Sequence, residues 1–236
     1  MVSPTRTDSI YEQFNPLTTV AKQRFVEWFA GDELNLTNNV SHRWYKGYSV
    51  TVPTMAFVDS DGGGFKITTG TNTYSDGRIY FAHDNGDQAG YEDSVEQFTH
   101  DSSTVISIFK EISVTTGSYS LSGFTGQPTG NAGTTATQNA NSGTFQTLSN
   151  VFCRTGDGST TSQLETDLAK DTNWHMHRTD LYPTNCKLMI DGTLKATKTS
   201  NLPESAMTPV FYQSYGSSSG GSAKEGAIRY MEAYNR

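Results

Sequence analysis

Carboxylate side chains are close together in the run 92–96, which contains Glu92, Asp93 and Glu96. Two carboxyl groups about 5–5.5 Å apart can hydrolyse a glycosidic bond with retention, one as the nucleophile and one as the acid/base. Residues at alternate positions of a strand face the same side. Asp93 would therefore point away from both glutamates, so this run does not predict a hydrolytic pair.

Two histidines, His175 and His177, alternate along a segment that begins at Trp174. On a strand they would share one face and could bind a metal ion if a neighbouring element supplied a third ligand. No third ligand is evident in the sequence. We predict that both histidines are solvated on the outer face of an antiparallel strand, with Trp174 in the core.

The runs 59–64 and 84–87 carry Asp, Asn and Gly in tight turns. Calcium binds such oxygens, but neither run matches a complete ligand loop, and ordinary hairpin turns require the same residue types. We therefore expect no metal and no cofactor. The run 42–48 places aromatic rings beside cations, which would form a sugar-stacking platform, a subunit contact or a half-buried strand.

The two cysteines, Cys153 and Cys186, lie in segments typical of strands. Cysteine packs well as a small apolar side chain, and disulfides are uncommon in proteins made in a cytosol. We predict buried free thiols, with a disulfide as the alternative if the two strands are neighbours.

Acidic residues outnumber basic ones, which gives a formal net charge of −7. Nucleic-acid binding depends on clustered lysine and arginine, so this balance argues against a nucleic-acid partner. No apolar run approaches the roughly 18 residues of a membrane span, and residues 1–15 lack the pattern of a secretion signal. We expect synthesis in a cytoplasm and no membrane partner.

The composition favours strands joined by polar turns, since hydrophobic residues make up 34%, charged residues 17% and glycines number 22. Short β-prone segments separated by turn residues predict two packed antiparallel sheets. In the clearest segment, 104–114, Ile106 and Ile108 would face the core, with Ser107 and Glu111 facing solvent. Further strands are predicted at 48–52, 55–58, 64–69, 78–83, 94–99 and 145–154.

The C-terminal third has the strongest local pattern, which predicts four consecutive strands with their turns. Asp191-Gly192 lies between two hydrophobic runs, and Asp-Gly is typical of a type I′ turn because both central residues need positive φ. Upstream, we predict a short helix at 162–170 and a long polar loop at 117–143. The chain would form one domain, 25–236, preceded by an arm, 1–24, that contacts a neighbouring subunit.

The C-terminal series resembles the concanavalin A-like lectin/glucanase jelly roll, an all-β sandwich of two antiparallel sheets. The residues that carry this resemblance are the strand begun by Trp174, the hairpin 188–194, Asn201-Leu202-Pro203 and the strand 207–212, with the opening 25–35 similar to its first strand. Hydrolases of this fold carry Glu-x-Asp-x-Glu, and its lyases carry Arg-Glu-x-Arg and Gln-x-His. Because neither pattern is found, the resemblance implies the non-catalytic modules of tailed-phage structural proteins, and hence no enzyme.

From this resemblance we expect a structural protein on the virion surface, made in the host cytoplasm, that decorates the capsid or forms part of an appendage. Its partners would be capsid or appendage subunits, further copies of itself and, weakly, cell-surface glycans. The alternatives are a lectin-like carbohydrate-binding module and a polysaccharide-cleaving enzyme. This fold places its binding face by strand register, so the sequence assigns no ligand-binding or catalytic residue.

Overall fold

Two antiparallel sheets packed face to face form the architecture. The structure is a computed structural model that describes residues 24–29, 44–49, 51–59, 63–72, 75–81, 98–114, 117–126, 141–147, 150–204, 207–215 and 221–236. Its regular elements are all strands, which confirms the all-β jelly-roll prediction. Over these ranges there is no helix with the length and apolar character to cross a membrane.

Fifteen strands are described. They are β1 Arg24–Trp28, β2 Trp44–Ser49, β3 Thr54–Phe57, β4 Phe65–Thr68, β5 Asp76–Phe81, β6 Ser103–Glu111, β7 Ser118–Thr125, β8 Asn141–Thr147, β9 Asn150–Gly156, β10 Thr161–Ala169, β11 His175–Tyr182, β12 Asn185–Ile190, β13 Thr193–Lys198, β14 Thr208–Tyr215 and β15 Glu225–Asn235. The front sheet has the order β10-β9-β8-β7-β14-β5-β2. The back sheet has the order β13-β12-β11-β6-β15-β4-β3, and β1 also pairs with β15.

The core lies between the sheets and is rich in phenylalanine. Phe109 of the back sheet meets Phe211 of the front sheet with ring centroids 5.6 Å apart, and both side chains are fully buried. Large aromatic side chains supply much of the core volume in this chain of low hydrophobic content. Between the sheets, the buried hydrophobic residues in the described ranges form one continuous cluster.

Strand β6 is present, but the prediction of its buried face was wrong. Val105 and Phe109 face the core, together with Ser107 and Glu111, whereas Ile106 is only half-buried. The polar side chains are tolerated inside because they are hydrogen-bonded: Ser122 Oγ donates to Ser107 Oγ at 2.7 Å. Buried polar groups cost little when they have such partners.

Two predictions about irregular and helical segments were also wrong. The predicted loop 117–143 contains β7 and the start of β8, and its middle, 127–140, lies outside the described residues. The predicted helix 162–170 is strand β10, at the edge of the front sheet. The predicted strand 145–154 contains the end of one strand and the start of the next.

The C-terminal series is confirmed, with five strands where the sequence predicted four, because the Asp-Gly turn separates β12 from β13. Asp191 has φ of 50° and Gly192 has φ of 79°, as a type I′ turn requires. This turn sets the register of the hairpin.

The strands β7 and β8 approach each other closely at Gly123 and Gly143, which are register partners. A Cβ atom on Gly123 would lie 2.1 Å from the carbonyl oxygen of Ser142, and one on Gly143 would lie 2.4 Å from that of Ser122. Any larger residue would push the two strands apart. These glycines therefore allow the centre of the front sheet to close.

A buried ion pair lies between the sheets, at one end of the core. Lys170 Nζ is 3.6 Å from Glu111 Oε1, and both side chains have no exposed surface. Lys170 also donates to the carbonyl oxygen of Ser118 at 2.9 Å, while Ser118 Oγ and Gln213 Nε2 donate to Glu111 Oε2. Burial raises the pKa of Glu111, and the nearby Lys170 ammonium opposes that rise.

Candidate functional site

The outer face of the front sheet is the side that points away from the back sheet. Strand register places one row of side chains across its centre, running through Arg78, Tyr212, Leu121, Phe145 and Phe152. The row draws on β5, β14, β7, β8 and β9 in that order. Antiparallel register brings these residues together although they are far apart in the sequence.

Three aromatic residues form what we call the aromatic shelf: Tyr119, Phe145 and Phe152. The rings of Tyr119 and Phe145 are stacked, with centroids 6.0 Å apart and an interplanar angle of 20°. Phe145 is buried, whereas Tyr119 and Phe152 are half-buried and pack against it. The shelf therefore presents two accessible ring surfaces on a rigid floor.

Polar side chains border the aromatic shelf where β8 turns into β9. Thr147 and Asn150 are register partners, and both are half-buried. Asn150 Nδ2 donates to Glu165 Oε1 on β10 at 2.5 Å, which fixes both side chains beside Phe152. Hydroxyl, amide and carboxylate groups next to an aromatic surface can hydrogen-bond the hydroxyl groups of a sugar.

Charged groups lie beneath this face, near its centre. The guanidinium carbon of Arg154 lies 4.5 Å from the ring centroid of Phe145, a cation–π contact. Burial lowers the pKa of Arg154 to about 10. Arg78 is paired with Asp76, at 3.6 Å, and burial raises the pKa of the Tyr212 hydroxyl above its ordinary value.

Carboxylates on this face are far apart in the described structure. Asp76 lies on β5 and Glu165 on β10, at opposite sides of the sheet. On β8, the outward positions are Asn141, Gly143, Phe145 and Thr147, none of which is acidic. Asp76 and Glu165 therefore do not form a pair at the spacing that retaining hydrolysis needs.

One alternating pair of carboxylates was missed by the sequence analysis, because 162–170 was predicted as a helix. Glu165 and Asp167 alternate on the edge strand β10. Asp167 Oδ1 lies 2.9 Å from Lys195 Nζ of the back sheet, and its side chain is 74% exposed. This pair therefore lies at the rim of the sandwich, in solvent.

The two histidines share a face, as predicted, but that face is the inner one. His177 is buried against Phe109, with ring centroids 4.3 Å apart, so the prediction of two solvated outer-face histidines was wrong. His175 Nδ1 is 2.6 Å from Asp191 Oδ2, and its Nε2 is 3.1 Å from Asp171 Oδ1. His177, which was predicted to face water, therefore packs in the core.

The two histidine pKa values shift in opposite directions. Burial lowers the pKa of His177 to about 3. For His175 burial acts in the same direction, but the hydrogen bonds to Asp191 and Asp171 outweigh it and raise the pKa. His175 is therefore held in an ion-pair network, and His177 stays neutral.

Trp174 was predicted as a core residue and is half-buried. The guanidinium carbon of Arg229 lies 3.8 Å from its ring centroid, and Lys110 Nζ lies 5.1 Å away. Across the described ranges, no group of three His, Cys, Asp or Glu side chains is placed to hold a metal ion.

Several predicted features fall wholly or partly outside the described residues. The carboxylate run 92–96 and the turn 84–87 are among them, as is the arm 1–24 apart from Arg24. The turn 59–64 is described only at its two ends. Of the aromatic run 42–48, strand β2 is described, and its Tyr48 side chain is 45% exposed.

Comparison with known proteins shows the fold. A β-glucanase from Bacillus licheniformis has 15% sequence identity and a TM-score of 0.58, covering 90% of this chain and 98% of its own. A protein of unknown function from Shewanella oneidensis MR-1 has 12% identity and a TM-score of 0.63, covering 100% and 95%. A glycoside hydrolase family 16 endo-glucanase from Bacteroides ovatus has 12% identity and a TM-score of 0.58, covering 89% and 99%.

No family model matches the sequence, and no curated protein matches it. The solved structures nevertheless overturn the expectation that the chain is not an enzyme, because glycoside hydrolases cover nearly the whole of it. The absence of Glu-x-Asp-x-Glu at 92–96 was therefore not sufficient to exclude catalysis. The fold is a jelly roll that is found in carbohydrate-active proteins.

Proposed function

We propose that the chain binds a polysaccharide on the outer face of its front sheet, at the aromatic shelf. The observation that carries this proposal is the pair of half-buried rings, Tyr119 and Phe152, beside the hydrogen-bonding groups of Asn150 and Glu165. Sugars bind where an aromatic surface meets their C–H face while polar groups bond their hydroxyls. The carbohydrate-active jelly rolls of similar fold support the same assignment.

The experiment that tests this is calorimetric titration of the purified protein with soluble polysaccharides: mixed-linkage glucan, laminarin, agarose oligomers and alginate. New reducing ends are measured in the same samples. Binding with new reducing ends would make the protein a polysaccharide-cleaving enzyme, whereas binding alone would make it a lectin-like module. Failure to bind any polysaccharide of the panel would contradict the proposal.

Phe152→Ala and Tyr119→Ala are each expected to weaken polysaccharide binding about tenfold, a loss of about 1.4 kcal/mol, because each removes one stacking surface. Calorimetry with the polysaccharide bound by the wild type measures the change. Trp28→Ala is the matched control, since Trp28 is an aromatic residue that is 49% exposed on the back sheet. Equal losses for all three variants would place binding elsewhere.

A second proposal keeps the expectation drawn from the C-terminal resemblance: a structural component of a tailed-phage particle, with capsid or appendage subunits and further copies of itself as partners. An apolar row on the outer face of the back sheet supports a subunit contact. It runs through Trp28, Tyr230, Ile108 and Met176, with Trp28 and Met176 49% and 40% exposed. Mass spectrometry of purified particles tests this proposal, and absence of the chain from them would contradict it.

A further inference from the structure

The two cysteines meet across the interface between the sheets. Cys153 lies on β9 of the front sheet and Cys186 on β12 of the back sheet, and their Sγ atoms are 3.9 Å apart. Both side chains are fully buried in the core. No backbone ladder joins β9 to β12, because the two strands belong to different sheets. The thiols therefore form a contact that side-chain rotation and a small approach of the sheets can close.

We propose that Cys153 and Cys186 are an oxidation site, where a disulfide joins the two sheets when the protein folds in the presence of a small-molecule disulfide. A disulfide needs its sulfur atoms about 2 Å apart, so the two Sγ atoms, now 3.9 Å apart, must approach by about 2 Å. The bridge would link residues separated by 33 positions in the sequence, a span that includes β10 and β11.

The chemistry balances with oxidised glutathione as the oxidant. One cysteine thiolate attacks the glutathione disulfide, which forms a mixed disulfide and releases one glutathione as its thiolate. The second cysteine thiolate attacks the protein sulfur of that mixed disulfide, which forms the Cys153–Cys186 bond and releases the second glutathione. The two cysteine protons pass to solvent, and the two glutathione molecules carry the two electrons away.

Burial of the two thiols determines when the disulfide can form. The hydrogen bond with Cys153 and burial raise the pKa of the Cys186 thiol well above its ordinary value. Thiolates are the attacking species, so exchange in the closed core is slow. The bond therefore forms while the sheets are docking or transiently open, and it persists once they have closed.

The disulfide would lie on the opposite side of β9 from the candidate binding face. Cys153 points into the core, while its neighbours Phe152 and Arg154 belong to the outer face. A bond at Cys153 would hold β9, and with it one ring of the aromatic shelf, to the back sheet. The oxidation site does not depend on what that face binds, so its test is independent of the polysaccharide proposal.

The experiment refolds the wild-type protein in excess reduced or excess oxidised glutathione, followed by alkylation in guanidinium and intact-mass measurement. The reduced sample should carry two alkyl groups per chain. The oxidised sample should carry none, weigh two hydrogens less than the reduced chain before alkylation, and unfold at a higher guanidinium concentration. Peptide mapping should then recover residues 153 and 186 in one linked fragment of a monomer.

Cys153→Ala and Cys186→Ala are the matched controls. Each should retain one thiol or one glutathione adduct, and its guanidinium midpoint should not rise on oxidation as that of the wild type does. Two alkyl groups on the oxidised wild type would overturn the proposal. So would a disulfide found only between chains, or an oxidised monomer that unfolds at a lower guanidinium concentration than the reduced one.

Discussion

Lys170→Met is expected to lower the free energy of unfolding by about 3–5 kcal/mol, because it leaves the carboxylate of Glu111 buried without its cation. Both side chains of this pair have no exposed surface. The hydrogen bonds from Ser118 and Gln213 to Glu111 would remain, but they do not neutralise its charge. Urea unfolding at pH 7 measures the change.

The double variant Glu111→Gln/Lys170→Met is the informative partner of this experiment. It removes both charges and keeps a side chain that can accept the hydrogen bond from Ser118. We expect it to recover much of the lost stability, since replacing a buried ion pair as a whole is often nearly neutral. Lys195→Met is the matched control, because its partner Asp167 is 74% exposed, and such pairs contribute about 0–1 kcal/mol. Equal effects of the two single lysine variants would contradict this account.

Acidification below pH 6.5 is expected to destabilise the protein through His177. Its pKa is about 3 in the folded state and 6.5 as the ordinary value, so between these values the unfolded chain binds a proton that the folded chain excludes. The free energy of unfolding therefore falls as the pH falls, with a slope that approaches about 1.4 kcal/mol per pH unit. The loss begins near pH 6.5 and ends near pH 3.

His177→Phe should remove that part of the pH dependence while keeping a ring against Phe109. The measurement is the difference in urea unfolding free energy between wild type and variant from pH 7.5 to pH 4.5, in which contributions common to both proteins cancel. His175→Gln serves as the control with the opposite sign. The folded pKa of His175 is raised, so its contribution is present at acid pH and is lost as the pH rises through that value. Parallel pH profiles for wild type and His177→Phe would contradict the assignment.

Sequence patterns predicted the C-terminal strands because each carries its own signal. The Asp191-Gly192 turn needs positive φ at both residues, and the strands on either side of it alternate buried and more exposed residues. Strand β7 offers no such signal. Three of its four inward residues are serines, Ser118, Ser120 and Ser122, and only the fourth, Phe124, is apolar. The buried serines depend on partners on another strand, such as Glu111 and Ser107. In the sequence, a serine that is buried and hydrogen-bonded to a distant residue looks the same as a serine in a loop.

The candidate site was beyond prediction for a related reason. The aromatic shelf combines Tyr119, Phe145 and Phe152 from three strands, and only the register of β7, β8 and β9 places their rings together. Sequence alone put Tyr119 in a loop. For His177, alternation gave the correct pairing with His175 but not which sheet face was buried, because a shift of one residue exchanges the two faces of a strand.

Strand β15 has a further consequence, for the order of events at the ribosome. It pairs with β6, β4 and β1, so the last strand of the chain occupies the middle of the back sheet. Until residue 235 has been synthesised, β6 lacks one of its two neighbouring strands, and β1 and β4 lack β15 as a pairing partner. The core also lacks the buried side chains of Ile228 and Met231. The strands made earlier therefore have unpaired edges and exposed apolar surface until β15 is available, which favours closure of the back sheet only after β15 has been synthesised.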